Sequence, residues 1–283
     1  MSEERTLLLL GAGGFIGSHV AGAAADAGLR VVPAGRERAD EALPCDLLDP
    51  ATVDACVAAA KPDLVVNAAG AASVGRSWEW PRETFAVNAT GVLHLLEAVA
   101  RRAPRAHVLC LSSADVYGAA GDRPGPGAAP LGEDLEPRPL TPYGASKAAM
   151  EVLCGQYGRG RGLRIGIARA FNMIGPGQSA DFAIPGFARR IAEAERAEAG
   201  AVELALGNPA AVRDFLDVRD AARGLLELSR RELCGIYNLC SGRGTSMAEL
   251  VEERASSARV PVTTRHDPAL ERPADPPALL GDP

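Results

Sequence analysis

The stretch that decides the fold is LLLLGAGGFIGSHV, residues 7–20. Four leucines, as expected of a buried strand, run into a glycine-rich turn, and an amphipathic segment begins directly after it. Gly11 suits a tight turn, Gly14 a close approach of the backbone to a pyrophosphate, and Gly17 close packing of a helix on a strand. Because free amides at a helix start attract phosphate, this stretch predicts a dinucleotide-binding turn.

The same alternation of strand and helix continues along most of the chain. Short apolar runs bounded by turn residues occur at 6–10, 29–34, 63–69, 107–113, 163–170 and 235–240. Amphipathic stretches lie between them, at 15–27, 51–60, 82–103, 143–158, 181–196 and 217–231. This order predicts an α/β fold with a Rossmann-type, doubly wound parallel sheet.

Pro and Gly residues interrupt the alternation and suggest two units. We expect residues 1–170 and about 216–240 to form the dinucleotide-binding Rossmann domain, and residues 171–215 and 241–283 a smaller, irregular C-terminal substrate-binding lobe. The stretch 118–142 is rich in Gly and Pro, so it predicts a loop with no structure of its own.

Composition excludes several classes of function. A net charge of -6 argues against a nucleic-acid surface, and no apolar run reaches the roughly 18 residues of a membrane helix. The acidic start MSEERT is unlike a signal peptide. Six scattered cysteines and four scattered histidines predict reduced, mostly buried thiols in a cytoplasmic protein, with no metal site.

The end of the second strand indicates which dinucleotide is bound. Many such folds place an acid there to bind the adenosine ribose, whereas this chain has Gly35, followed by Arg36. Glycine leaves room for a 2′-phosphate and arginine can bind it, which favours NADP(H) over NAD(H); a solvated loop is the alternative. Asp46 and Leu47 are candidates to hold the adenine ring, although a simple Asx turn also fits them.

A candidate catalytic group follows the fourth strand. In TPYGASK, Tyr143 and Lys147 are four residues apart and share one helical face, with Thr141 as cap and Pro142 at the first helical position. A neighbouring ammonium lowers the pKa of a tyrosine and makes it a usable acid–base group. Ser113, just past a strand, can hydrogen-bond a substrate oxygen.

The chain resembles the extended short-chain dehydrogenase/reductases that act on nucleotide sugars. The motifs that carry the resemblance are GAGGFIG, NAAG (67–70), VNATGVLHLLEA (87–98), LSSADVYG, YGASK, RAFNMIGPGQS and RDFLDVRD, in unbroken order over nearly the whole chain. Within this family the later segments are most similar to the group of GDP-6-deoxy-4-keto-mannose reductases. Relatives continue past residue 283 with a further helical segment.

The resemblance implies a role for each matching residue. Tyr143 would be the acid–base group, Lys147 would hold the nicotinamide ribose and Ser113 would orient the sugar. The implied cofactor-binding residues are Gly11, Gly14, Phe15, Ile16, Gly17, Gly35, Arg36, Asp46, Leu47, Asn67, Ala68, Ala69, Gly70, Asn88, Tyr143, Lys147 and Ala170. The implied substrate-binding residues are Ser73, Ser113, Ala114, Asp115, Asn172, Arg189, Arg213 and Arg272, the last two as clamps on the diphosphate.

The resemblance also implies a nucleotide-diphosphate sugar as substrate and a homodimer formed through helices 82–103 and 143–158. NADPH-dependent reduction of a C4 ketone in a GDP-4-keto-6-deoxy sugar is the favoured reaction, and an NAD-dependent 4-epimerase is the alternative. A 4,6-dehydratase is less favoured, because Ala114 and Asp115 stand where that reaction needs an acid–base pair. A sensor that binds a dinucleotide without turnover remains the non-enzymatic alternative.

Overall fold

The computed structural model describes residues 4–36, 42–121, 129–271 and 275–283. Within these ranges, seven strands form one sheet in which all hydrogen-bonded neighbours run parallel. Six further described strands lie outside this sheet. In chain order, all described strands are β1 (Thr6–Leu10), β2 (Arg30–Gly35), β3 (Leu43–Pro44), β4 (Leu64–Asn67), β5 (His107–Ser113), β6 (Arg164–Ala170), β7 (Asn172–Ile174), β8 (Val202–Leu206), β9 (Val212–Asp217), β10 (Gly235–Leu239), β11 (Gly244–Ser246), β12 (Val262–His266) and β13 (Ala278–Leu279). The order across the large sheet is β10-β6-β5-β4-β1-β2-β3, which confirms the doubly wound parallel fold.

The helices cover both faces of this sheet. They are α1 (Phe15–Asp26), α2 (Pro50–Ala60), α3 (Val74–Glu79), α4 (Pro81–Phe85), α5 (Gly91–Arg102), α6 (Pro142–Arg161), α7 (Ala183–Arg196), α8 (Val218–Arg230) and α9 (Met247–Ser256). The helix predicted at 82–103 is α4 and α5 joined by a π-helical turn at Ala86–Thr90. The other predicted helices begin and end within three residues of the observed bounds.

The four leucines of β1 connect the two faces. All are at most 2% exposed, because parallel strands at the centre of such a sheet are covered on both sides. Successive side chains of a strand point to opposite faces. Leu8 and Leu10 accordingly pack in the cluster that contains residues of α2, α5 and α6, whereas Leu7 and Leu9 pack with α1 and α8.

The strand order reverses beside β1, and this reversal creates the binding crevice. The chain leaves β1 through α1 to β2 and β3 on one side, then returns to β4 on the other. The amide of Gly11 donates to the carbonyl of Ala34 at 2.9 Å, and the amide of Ala68 donates to the carbonyl of Leu10 at 3.0 Å. Ligands of open α/β sheets bind at such a reversal, outside the carboxyl ends of the strands.

The region after β6 is more regular than the sequence predicts. β9 pairs with β7 and β13 in parallel and with β11 in antiparallel, and β8 pairs with β12. A small apolar cluster joins Ile191 of α7, Leu204 and Leu206 of β8 and Val251 of α9. The expectation of an irregular lobe is therefore wrong, while the division into two domains stays a prediction.

The segment 118–142 is also more ordered than predicted, as far as it is described. Gly118–Gly121 form a 3₁₀ turn. Leu131 is 4% exposed and forms a β-bridge with Gly281, in which its amide donates to the carbonyl of Leu280 at 2.8 Å. The prediction of a loop without structure is wrong, because residues that are distant in the chain hydrogen-bond to this segment.

All six cysteines lie in the described ranges and are free, and four of them are buried, as predicted. The described helices include none that is long and apolar enough to cross a membrane. The described residues also contain no cluster of three or more potential metal ligands of the His, Cys, Asp or Glu type.

The turn after β1 has no room for a side chain at Gly17. A Cβ there would lie 2.0 Å from the carbonyl oxygen of Gly11, so Gly17→Ala forces the helix off the turn. We expect a loss of about 1–3 kcal/mol in the free energy of unfolding, measured by urea denaturation. Gly22→Ala in the same helix is the control, because nothing lies within 4 Å of its added Cβ. It should gain about 0.5–1 kcal/mol, and equal effects of the two changes would contradict the packing argument.

Candidate active site

The glycine turn forms an open cradle at the start of α1. Gly11 has a φ of 77°, a left-handed conformation that favours glycine, and Gly14 is the N-cap of α1. Gly13 is exposed, and an added Cβ there would meet nothing within 4 Å. The first turn of α1 carries no acidic side chain, so its free amides are available to an anion. These residues fit the pyrophosphate of a dinucleotide.

Two further predicted cofactor residues follow in α1. Phe15 and Ile16 are half-buried and pack against the apolar cluster beneath the sheet. The ring of Phe15 also meets His19 edge-to-face at 5.9 Å. These two side chains thus anchor α1, which begins at the glycine turn, against the sheet.

The end of β2 offers space and a positive charge. A Cβ at Gly35 would meet nothing within 4 Å, and Arg36 next to it is exposed. Arg38, the other basic residue of this loop, lies outside the described residues. The carboxyl end of β2 therefore fits the 2′-phosphate of NADP(H) better than it would if an acid stood at position 35.

Asp46 and Leu47 are both engaged within the protein. The Asp46 carboxylate accepts a hydrogen bond from the Leu48 amide at 3.0 Å, which is the Asx turn considered from the sequence. Leu47 is 6% exposed, packs in the core, and accepts a hydrogen bond from Nδ1 of His94 at 2.8 Å through its carbonyl. Their predicted contact with the adenine ring stays a prediction.

The turn after β4, Asn67 to Gly70, adjoins the catalytic helix. Asn67 is buried and accepts from the amide of Ala69 at 3.2 Å. Asn88 holds the next residue, since its Oδ1 accepts from the Ala71 amide at 2.8 Å. A Cβ at Gly70 would lie 2.8 Å from Oδ1 of Asn88 and 3.5 Å from Nζ of Lys147. The turn thus lies directly against the lysine.

The structure brings the three predicted catalytic residues together. Ser113 ends β5, and Tyr143 and Lys147 lie in the first two turns of α6. Thr141 caps this helix by accepting from the Gly144 amide at 3.0 Å, and Pro142 occupies its first position, as predicted. Nζ of Lys147 lies 5.9 Å from the centre of the Tyr143 ring.

Hydrogen bonds order this group. Hydrogen bonding by Ser113 acts to lower the pKa of Tyr143. The Ser113 hydroxyl donates to Oδ2 of Asp115 at 2.9 Å. Nζ of Lys147 donates to the carbonyl of Leu111 at 2.8 Å. Tyr143, Lys147 and Ser113 are at most 8% exposed, so the group is shielded from water.

The pKa of Tyr143 moves in the opposite direction to the one expected from the sequence. Burial raises the pKa of Tyr143, and the Asp115 carboxylate raises it further, against a smaller effect of the Ser113 hydrogen bond. Burial lowers the pKa of Lys147 to about 8. The expectation of a lowered tyrosine pKa is wrong because the ammonium is directed to Leu111 while a carboxylate faces the tyrosine. Tyr143 is therefore protonated at neutral pH and suited to donate a proton.

A buried ion pair lies behind the catalytic group. Arg169 of β6 binds Glu151 of α6 through two bonds, Nη2 to Oε2 at 2.8 Å and Nε to Oε1 at 3.1 Å. The Ser112 hydroxyl donates to the same Oε1 at 2.6 Å, and the Arg169 guanidinium stacks 4.6 Å above the Tyr117 ring. Charged residues are usually exposed, so the sequence analysis missed this pair. The one available signal was that Glu151 lies four residues after Lys147, on the same helical face.

The predicted substrate residues occupy several places. Ser73 caps α3, Ala114 is buried just after β5, and Ala170, assigned to the cofactor, ends β6. Arg189 is exposed on α7, 3.7 Å from Glu193. Arg272 lies outside the described residues. The binding role of each of these side chains stays a prediction.

Asn172 and Arg213 are joined through β9. Nδ2 of Asn172 donates to the carbonyl of Asp214 at 3.2 Å. Arg213 is 8% exposed, forms an ion pair with Asp275 at 2.7 Å and donates to the Val212 carbonyl, so it is no ordinary surface arginine. Arg213 is predicted to clamp the diphosphate. In that role its guanidinium would bind the diphosphate and the Asp275 carboxylate at the same time.

Asp214 is a second buried residue that the sequence analysis missed. It is fully buried and its carboxylate accepts from the amides of Ser241 and Gly242 at 2.8 and 2.9 Å, and from the Ser241 hydroxyl at 2.7 Å. The amide of Gly281 approaches the same carboxylate at 3.4 Å. This carboxylate fixes the turn after β10 beside Arg213.

Comparison with known proteins identifies relatives of this chain. Residues 7–240 match a family described as the NAD dependent epimerase/dehydratase family. The chain is 36% identical to GDP-6-deoxy-D-mannose reductase of Pseudomonas aeruginosa over 278 residues, which cover 95% of this chain and 85% of that protein. It resembles the structure of RMD from Pseudomonas aeruginosa complexed with NADPH, with a TM-score of 0.83, 34% identity, and 99% and 88% of the two chains covered.

The structure of an epimerase is equally similar in fold. The UDP-glucose 4-epimerase of Thermus thermophilus in complex with NAD superposes with a TM-score of 0.84 and is 29% identical. The match covers 98% of this chain and 90% of that one. Both a reductase and an epimerase are thus close in fold.

Removing one charge of the buried ion pair tests its contribution. Glu151→Gln leaves the Arg169 guanidinium buried without a counter-charge, and we expect the free energy of unfolding to fall by about 3–5 kcal/mol in urea denaturation. Glu227→Gln is the control, because its carboxylate pairs with Arg231 at the surface, 3.0 Å away. That change should stay within about 0.5 kcal/mol. If both variants lost the same free energy of unfolding, the buried ion pair would contribute no more to stability than the exposed one.

Proposed function

This chain belongs to the NAD dependent epimerase/dehydratase family, and we propose that within it the chain reduces the C4 ketone of a nucleotide 4-keto-6-deoxy sugar with NADPH. The observation that carries the proposal is the cluster of Ser113, Tyr143 and Lys147 at the carboxyl edge of the sheet, against the turn that adjoins the phosphate cradle. The similarity to GDP-6-deoxy-D-mannose reductase supports GDP-4-keto-6-deoxymannose as the substrate.

The side chains divide the work of the reduction. When bound, NADPH supplies the hydride for the ketone carbon. Ser113 hydrogen-bonds the ketone oxygen and Tyr143 donates its phenolic proton to that oxygen as negative charge develops there. Lys147, with a pKa of about 8, is still largely an ammonium at neutral pH, and the Leu111 carbonyl holds it 5.9 Å from the centre of the Tyr143 ring. The buried walls exclude water and strengthen each of these interactions.

The raised pKa of Tyr143 is consistent with the role that the tyrosine has in reduction. A ketone reductase needs the tyrosine as an acid, whereas a 4-epimerase first needs it as a base to oxidise the sugar. Burial and Asp115 keep Tyr143 protonated. Gly35, with open space around it, also favours NADP(H), while the NAD-bound epimerase of similar fold keeps the 4-epimerase as the second candidate.

Two other activities have less support. A 4,6-dehydratase needs an acid–base pair beside the serine, and Ala114, 3% exposed, cannot supply one of its two members. A sensor without turnover would have no need of a buried serine, tyrosine and lysine at this edge of the sheet. The two-domain division, the nucleotide-diphosphate clamp of Arg213 and Arg272, and a cytoplasmic location are further parts of the proposal.

Oxidation of NADPH and of NADH by the purified protein, with GDP-4-keto-6-deoxymannose supplied, tests the function. We expect NADPH to be consumed in proportion to ketone, and Tyr143→Phe to abolish this consumption while cofactor binding persists. No consumption with either cofactor, together with NAD bound to the purified protein, would instead indicate the epimerase. Full activity in Tyr143→Phe would contradict the catalytic role of the tyrosine.

Gly35→Asp serves as the matched variant for the cofactor. The site has space for the new side chain, so the change adds a charge without a clash. A carboxylate repels a 2′-phosphate and binds a ribose 2′-hydroxyl, and we expect the preference for NADPH over NADH to fall by at least about tenfold in kcat/KM. An unchanged preference would mean that the end of β2 does not recognise the 2′-phosphate of NADPH.

A homodimer is also part of the proposal, and the exposed face of α6 supports it. Val152 on α6 is 69% exposed, and Phe85 on the neighbouring α4 is 47% exposed. Val152→Glu should convert a dimer to a monomer in sedimentation velocity, because it places a charge in an apolar interface. Leu270→Glu, at a residue 53% exposed elsewhere, is the control and should leave the dimer intact. A monomeric wild-type protein would contradict the dimer.

A further inference from the structure

Reduction consumes a proton in every turnover, whereas epimerisation returns to its starting protonation state. Under the proposed function, on which this inference rests, Tyr143 gives its proton to the ketone oxygen and must recover one before the next turnover. The tyrosine is 8% exposed, so solvent cannot readily reprotonate it directly. A path for the proton is therefore required.

The described side chains contain such a path. The Ser113 hydroxyl is the hydrogen-bonding group that acts to lower the pKa of Tyr143, and it donates to Oδ2 of Asp115 at 2.9 Å. Asp115 is half-buried, whereas Tyr143 and Ser113 are buried. The chain of groups thus runs from the reacting hydroxyl to the carboxyl of a half-buried residue.

The backbone holds Asp115 in this place. Its amide donates to the Ser113 hydroxyl oxygen at 3.2 Å. Its carbonyl oxygen would lie 2.5 Å from a Cβ at Gly144, so the first turn of α6 packs directly on it. The carboxylate is consequently fixed between the end of β5 and the helix that carries Tyr143 and Lys147.

We propose that Asp115 and Ser113 return a proton from solvent to Tyr143 after each reduction. The ketone carbon gains the hydride, its oxygen gains the Tyr143 proton, and a phenolate remains. Asp115 takes a proton from water, passes it to the Ser113 oxygen, and Ser113 gives its own hydroxyl proton to the phenolate. Asp115 and Ser113 end as they began, and the net change is one proton taken from solvent for each ketone reduced.

The electrostatics of the site agree with this direction. The negative charge of Asp115 disfavours the Tyr143 phenolate, so it draws a proton back toward the tyrosine. Nζ of Lys147 lies 5.9 Å from the centre of the Tyr143 ring, and the charge of Glu151 on the same helix acts to raise the pKa of Lys147. Nζ of Lys147 donates to the Leu111 carbonyl, which is buried in the sheet. A route through Lys147 is the competing possibility that the experiment must separate.

Rapid-mixing kinetics of NADPH oxidation test the relay with Asp115→Asn, which keeps the size and the backbone contacts of the residue. In the first turnover Tyr143 is already protonated, so we expect the variant to oxidise one equivalent of NADPH at close to the wild-type rate. Later turnovers must wait for a proton, and the steady-state rate should fall by at least about tenfold. Added acetate, a small carrier of protons, should restore part of that rate.

Glu136→Gln is the matched control, because it removes an exposed carboxylate from the nearby loop. It should change neither phase. A steady-state rate in Asp115→Asn equal to that of the wild type overturns the relay and favours Lys147. An equal loss in both phases without rescue by acetate overturns it as well, since Asp115 would then only position Ser113. A wild-type protein that oxidises no NADPH with the ketone refutes the proposed function itself.

Discussion

The ion pair between Arg169 and Glu151 is the constraint on which the candidate active site depends. Two opposite charges that are almost completely buried must stay together, because either one alone would be desolvated without compensation. Glu151 lies one turn beyond Lys147 on α6, and Arg169 belongs to β6. The pair therefore ties the catalytic helix to the sheet at a set distance and rotation.

The same pair connects the end of β5, next to Ser113, to distant parts of the chain. Glu151 accepts from Ser112, the neighbour of Ser113, while Nη1 of Arg169 donates to the Glu133 carbonyl at 3.3 Å. Glu133 in turn accepts from the Asn238 amide through its carboxylate at 2.8 Å. Strands β5, β6 and β10 and the loop before α6 are thus held by one polar network. Hydrogen bonds in such a dry network strengthen one another.

The sequence predicted the parts of the fold whose pattern is local. The Rossmann-type sheet, six of its seven strands and the helices between them follow from periodicity, and the family and the cofactor turn follow from motifs at fixed spacing. The small strands were missed because their pairing is distant. β9 pairs with residues 244–246 and 278–279, and β13 has only two residues, too few for any pattern.

At the site, residue types could be predicted but their electrostatic environment could not. The spacing of Tyr143 and Lys147 placed both on one face of a helix, as observed. The direction of the tyrosine pKa depends on burial and on Asp115, and neither can be read from spacing. Arg169 and Asp214 were missed for a related reason: a charged residue inside a protein is recognised only once its partners are known.

The scarcity of lysine gives the protein a built-in reporter of this environment. Of thirty basic residues only Lys61 and Lys147 carry a side-chain amine. Lys61 is exposed at the end of α2, in a left-handed conformation with φ of 44°, whereas Lys147 is buried with a pKa of about 8. Protein labelled with nitrogen-15 lysine would give only two side-chain resonances, and the one that titrates near pH 8 would report directly on the catalytic helix.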